Sequence, residues 1–355
     1  MNKKKKRKIK KEVYIIIPIL IGLIILIICL LPRGNNSKKD NKKSNVKVEK
    51  KEELPNIKVV DLKSESRPIA IMYNNISTVW GNQAGLQDAY LVYEIIVEGG
   101  YTRLMAVFKD VDLDRIGCIR SSRPYFLDYV LENDALYIHF GASKQALSDI
   151  KTLGINNINF INYNAGYWRD KSLNLSIEHT AYTSSKRISK GIEDYEYRNT
   201  SKNKPVLNYT DKEIDLSKKD GAIKADKVFI GYSTVRNTSY IYDSENKSYL
   251  RSQGTARGTY EHIDGVTNKQ YTVKNIITYK VKNKSIDSKD RQELENIGSG
   301  DGYYITNGYA VPIKWSKKSR DSKTIYTYND GSEIKVNDGN TFIQIQPSKE
   351  ELTIE

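Results

Sequence analysis

Two arginines flank a pair of serines at Arg120-Ser121-Ser122-Arg123, directly before Pro124. The segment joins a β-type apolar run, Arg115–Ile119, to a run of helical spacing in which Phe126, Tyr129 and Val130 recur and which Pro124 suits as a first position. Backbone N–H groups at a helix start and two guanidinium forks would then converge, which suits a carboxylate or a phosphate. Arg103 joins the set. A peptide-stem carboxylate or a teichoic-acid phosphate is the chemistry such a place fits. The competing reading pairs these arginines with the protein's own acids, Glu94 and Glu98 among them.

Glu98-Gly99-Gly100-Tyr101 reads as a hairpin turn between apolar strands, its glycines free to take positive φ. Desolvation by neighbouring rings would raise the proton affinity of Glu98 and fit it to act as general acid towards a glycosidic oxygen. The second carboxylate that reaction needs is not assignable by spacing. In ALYIHF (Ala135–Phe140), alternation puts Leu136, Ile138 and Phe140 on one side and Tyr137 and His139 on the other. His139 therefore either faces a site as a catalytic candidate or is packed and hydrogen-bonded within its strand. Ser143 lacks a G-x-S-x-G elbow, and capping of a helix accounts for it. Further on, Trp168-Arg169-Asp170 and Glu178-His179 lie in a segment without periodicity, read as a loop returning over the first domain. Tyr167 and Trp168 offer flat faces to sugar rings, and Arg169 or His179 could bind polar substituents. The alternative is an internal ion pair from Arg169 to Asp170 or Glu178.

Three histidines, His139, His179 and His262, stand far apart without ligand spacing, so no metal or other cofactor is expected. Two cysteines, Cys29 and Cys118, provide no disulfide framework. Twenty-six tyrosines against six phenylalanines give the later strands rings with a polar end, useful at wet polysaccharide or protein contacts and equally good strand formers.

These groups are positioned by an α+β body behind an anchor. Residues 13–31 read VYIIIPILIGLIILIICLL without a charge, enough at about 1.5 Å per residue to cross a bilayer. The basic tail 1–12 before it keeps that end cytoplasmic and sends the body outside. A cleaved signal peptide would be shorter and end in small residues. Lipidation at Cys29 would want a small residue in place of Ile28. Residues 32–55 are too polar to fold and form a linker. The formal charge of +14 lies mainly in the tails: eight basic residues against one acidic in 1–12, and eight against four in 32–53. The body is then nearly neutral, so nothing there suggests a phosphate-tracking groove and no nucleic-acid partner is expected. Residues 56–197 read as a mixed α/β domain with strands at Arg67–Asn75, Tyr90–Glu98, Thr102–Asp110, Arg115–Ile119 and Ala135–Phe140. A helix KQALSDIKTLG is capped by Ser143 and ended by Gly154. Residues 198–224 read as a polar connection, and 225–355 as a mostly antiparallel β domain whose last strands are punctuated by NDG turns at Asn329–Gly331 and Asn337–Gly339.

VEGGYTR (Val97–Arg103), RIGCIRSSRPYF (Arg115–Phe126), DALYIHFGAS (Asp134–Ser143) and EHTAYTS (Glu178–Ser184) follow one another in this order. NIGSGDGYYITNG, AVPIKW and YNDGSEIKVNDGNTFIQIQP close the chain. Over about residues 60–347 the sequence resembles the YerB-like family, described as lipoproteins of Gram-positive bacteria. The resemblance implies two domains of unknown function, membrane attachment, an extracytoplasmic place and a link to the cell envelope. It supplies no catalytic residues. Family members commonly carry a lipidated cysteine; this chain departs by lacking a good processing site before Cys29.

The reading is therefore a single-pass membrane protein with its body outside the cytoplasm, binding an anionic wall ligand or an envelope protein partner through Arg103, Arg120, Ser121, Arg123, Arg169 and His179. The alternative is a peptidoglycan hydrolase, a glycosidase or lytic transglycosylase, with Glu98 as general acid and His139 assisting.

Overall fold

In a computed structural model that describes residues 55–355, four of the five strand runs expected in the first half become β1 (Ile69–Asn74), β2 (Leu91–Ile96), β3 (Thr102–Phe108) and β4 (Leu136–His139), and β5 (Asn157–Asn159) is added to them. The fifth run, Arg115–Ile119, gives only the two-residue strand Ile116–Gly117, set in a separate small sheet because it pairs with Ala181–Thr183. The second half supplies β6 (Lys227–Ser233), β7 (Arg236–Asp243), β8 (Ser248–Thr255), β9 (Asn275–Val281), β10 (Gly298–Thr306), β11 (Tyr309–Lys317) and β12 (Thr341–Pro347). The expected membrane span at residues 13–31, with Cys29, lies outside the described residues. Among those described, no helix is long and apolar enough to cross a membrane.

One eleven-stranded sheet runs through both halves of the chain. Its order is Ile223–Lys224, β11, β10, β9, β12, β2, β3, β1, β4, β5, with Ile325–Tyr328 added on β11. The two halves meet at β12, which lies parallel to β2 on one side and to β9 on the other, Ile343 standing opposite both Tyr93 and Ile277. All seven residues of β12 are buried, which is why TFIQIQP carries so little charge. A second, six-stranded antiparallel sheet orders Gly258–Glu261, β8, β7, β6 and Leu352–Ile354, with Thr272–Val273 on β8.

The period-two alternation of β2 serves two cores. Leu91, Tyr93 and Ile95 pack with Ile343 and Ile345 against Phe126, Tyr129, Val130 and Ile150 of α1 (Leu127–Glu132), the turn before it and α2 (Lys144–Thr152). Val92 and Ile96 turn the other way with Phe342 and Ile276, onto Val228, Ile230, Tyr232 and Tyr240 of the second sheet. The fold is mostly β with a few short helices, where the sequence predicts an α+β body. Its helices obey local signals: Ser143 Oγ accepts from Ala146 N at 3.2 Å, and Gly154 takes φ +64° just past the end of α2. A third helix, α3 (Ser185–Asp194), capped by Ser184 and burying Ile188 and Gly191, was not read from the sequence.

Two local readings change. The NDG at Asn329–Gly331 closes a turn, Tyr328 N donating to Ser332 O at 2.9 Å. The NDG at Asn337–Gly339 closes no hairpin, because Lys335–Asn337 pairs in parallel with Asn208–Thr210 instead. The polar stretch 198–224 also buries Val206, Leu207, Tyr209 and Leu216, so spaced apolar residues within it draw it into the body.

Candidate functional site

Arg120, Ser121 and Ser122 run beside the end of β4. Arg120 N donates to Met72 O at 2.9 Å, Phe140 N to Arg120 O at 3.0 Å, and Ser122 N to Gly141 O at 3.0 Å. This pins the backbone of the arginine segment while leaving its side chains to project. The result is a cleft of about 300 Å³ lined by Ile119, Arg120, Ser121, Phe140, Gly141, Ala142, Ile161, Arg169 and Glu178. Arg169 lies not on the expected loop but on the two-residue strand Trp168–Arg169, paired antiparallel with Ala181–Thr183. It arrives with its guanidinium 4.3 Å above the Phe140 ring and donates to the Ile177 carbonyl. Arg120 Nη1 donates to the Glu178 carbonyl at 3.1 Å, and its Nη2 stands 3.8 Å from the Glu178 carboxylate.

The other two arginines of the expected set are engaged by the protein itself. Arg123 Nε donates to Glu98, and its Nη1 to Ser122 O at 2.7 Å. Arg103 lies 4.0 Å from Glu98 and donates to the Ser121 carbonyl. Burial, then the neighbouring Arg123 charge, brings the Arg103 guanidinium down to about 9. These two arginines thus brace the segment that presents Arg120 and Ser121. The short helix does not add an anion seat: α1 has only six residues, a 3-10 turn Pro124–Phe126 precedes it, and Arg320 Nη2 donates to the Pro124 carbonyl at 2.9 Å.

Glu98 occupies the expected turn, with Gly99 at φ +67° and Gly100 at φ +72°. Burial pushes its carboxyl up, but the hydrogen bond and charge of Arg123 and the charge of Arg103 outweigh this and leave it below the ordinary carboxylate value. That is the opposite of the protonated state a general acid needs. His139 is fully buried, with Nδ1 2.8 Å from Gly141 O, Nε2 3.1 Å from Asn157 Oδ1, and its ring 4.9 Å from that of Tyr137. The alternation of β4 holds, but both of its faces are covered. Burial lowers the proton affinity of His139. His179 meets Asn74 Nδ2 through Nδ1 at 2.9 Å and lies 3.8 Å from Glu178. Burial and the Arg120 charge lower its proton affinity too.

The expected sugar platforms are largely occupied. Trp168 stacks on Tyr182 at 6.0 Å, and Tyr167 packs edge-on to Phe140 at 4.9 Å. Asp170 pairs with Arg115 at 2.7 Å, so the internal pairs considered for Arg169 do not form. A different aromatic groove of about 500 Å³ opens where the halves meet, lined by Ser77, Trp80, Tyr101, Val235, Thr255, Ala256, Arg257 and Tyr260. Tyr101 and Tyr260 are exposed there. No spacing rule joins residues so far apart in sequence.

Sequence reading also missed a buried charge network between the sheets. Glu94, paired in register with Gln344, receives Arg251 Nη2 at 2.6 Å and Thr102 Oγ1 at 2.8 Å, with Arg236 at 3.6 Å. Arg251 in turn contacts His262, which contacts Gln83. The available signal was one carboxylate in the middle of an apolar nine-residue run, YLVYEIIVE.

Comparison with known proteins gives a consistent set of relatives. Residues 56–198 match the N-terminal domain, and residues 228–343 the C-terminal domain, of a protein of unknown function (DUF3048). The chain is 26% identical over 306 residues to "Putative lipoprotein YerB" of Bacillus subtilis (strain 168), covering 85% of this chain and 87% of that protein. A crystal structure of YerB protein from Bacillus subtilis is similar with a TM-score of 0.71 at 24% identity, covering 85% of this chain and 100% of the other.

Proposed function

The chain belongs to the DUF3048 family, homologous to YerB, and from that premise we propose that it is an envelope protein that captures an anionic wall-associated ligand or partner at the Arg120 cleft. Residues 13–31 serve as its single-pass anchor, and the body lies outside the cytoplasm. A name that describes the Bacillus relative as a lipoprotein supports membrane association.

One observation carries the binding role. Among the described residues Arg169 has no carboxylate within ion-pair distance, and Arg120 meets Glu178 only at 3.8 Å, so two forks in one cleft retain donors. The hydrolase reading gains nothing from a Glu98 held ionised. The test is retention of the full-length protein, in detergent, on purified wall sacculi: it is retained at low salt and released as salt screens the guanidinium contacts. Free passage of the protein at low salt overturns the proposal.

A further inference from the structure

The Arg120 cleft is more than a cationic patch. Its floor is apolar, made by Ile119, Phe140 and Ala142, and its wall includes Ile161. Ile161 is 62% exposed and Ile177, whose carbonyl holds Arg169, is 68% exposed; no other large apolar side chain among the described residues is as open to solvent. Exposed apolar groups are ordinary when scattered, but Ile161 lines the cleft and Ile177 holds one of its arginines through the backbone. Beside Arg120 stands Glu178, its side chain 53% exposed and its carboxylate 3.8 Å from both Arg120 and His179, beyond hydrogen-bond reach of either.

We propose that the cleft takes the carboxy-terminal residue of a peptide bearing a small aliphatic side chain, an inference that rests on the anion-binding reading of this site. Each group has its counterpart. The terminal carboxylate lies on the Arg120 and Arg169 forks. The amide N–H, one carbon from that carboxylate, donates to Glu178. The aliphatic side chain covers Ile161 and the Phe140–Ala142 floor. A phosphodiester fits the same place worse, because it offers Glu178 no donor and leaves the apolar walls in water. The cleft's volume of about 300 Å³ is at the small end for ligand pockets, which suits one terminal residue rather than a folded partner.

The full-length chain in detergent, titrated with N-acetyl-Ala-Ala (L,L and D,D), its carboxamide and glycerol phosphate and followed by NMR, tests this. The free acid of at least one series saturates, its carboxamide binds about tenfold more weakly or not at all, and Glu178→Gln weakens the dipeptide while sparing glycerol phosphate. Ile161→Ser, at an exposed side chain that the fold does not need, weakens the dipeptide alone. Binding of glycerol phosphate without the dipeptide overturns the peptide assignment and leaves the anion-binding reading standing. Binding of neither overturns both. Equal binding of acid and carboxamide overturns the role given to the arginines.

Discussion

Arg251 Nη2 donates to Glu94 Oε2 at 2.6 Å between the two sheets, and neither side chain is exposed. Glu94 belongs to the first half of the chain and Arg251 to the second, so the pair ties the small sheet to the large one through charge. Removing Glu94 leaves Arg251 and Arg236 both buried without their carboxylate, at a cost of about 3–5 kcal/mol. Glu94→Leu is therefore expected to lower the urea midpoint by that equivalent with the slope unchanged, and Arg251→Ala to lower it less, because Arg236 stays 3.6 Å from the carboxylate. A shift below about 1 kcal/mol, the scale of an exposed pair, would show that the pair contributes little.

The same carboxylate sets a pH dependence. Burial raises the Glu94 proton affinity, but Arg251, Arg236 and the Thr102 hydrogen bond more than reverse this, leaving the folded value below that of an ordinary glutamate. A depressed carboxylate contributes stability above its unfolded pKa, and that contribution is lost as pH falls through the folded value. Thermal midpoints should hold as pH approaches the unfolded value from above and fall below it, with Glu94→Gln showing a shallower acid limb. Identical acid limbs would contradict the assignment.

Local packing gives a third expectation. A Cβ on Gly302 would stand 2.4 Å from the Thr278 backbone carbonyl oxygen, and no rotamer relieves a backbone clash. Gly302→Ala should cost about 1–3 kcal/mol, whereas Ser143→Ala removes only the α2 cap and should cost about 1 kcal/mol. Calorimetric midpoints check the order of the two.

Glu98 provides the test against wall hydrolysis. Held by Arg123 and Arg103, its carboxyl should titrate below the ordinary value when followed by carboxyl-carbon NMR. Muropeptide analysis after incubation with sacculi should show no new reducing or anhydro ends. A raised titration, with ends that disappear in Glu98→Gln, would restore the general-acid reading.

Much of the layout was legible because it is local. Ser143 and Gly154 bound α2 by capping chemistry, the Glu98–Tyr101 glycines make the turn, and apolar β-rich runs identified β1 to β4. What sequence could not give is long-range. The β2 and β12 pairing joins residues some 250 apart, and nothing in either run names its neighbour. Spacing groups the arginines as one unit, yet the fold divides them: Glu98 takes Arg103 and Arg123, and Arg169 comes from the short strand Trp168–Arg169, far along the chain, to stand with Arg120. His139 showed the correct alternation, but alternation cannot say that both faces of a strand are covered.

The most direct measurement of the central claim is the binding isotherm of the full-length protein on purified sacculi, wild type against Arg120→Ala/Arg169→Ala, at fixed ionic strength. Loss of two charge-assisted contacts predicts an affinity at least about tenfold lower, or roughly 1.4 kcal/mol, with an unchanged thermal midpoint showing that the fold survives. Superimposable isotherms for the two proteins would contradict the account.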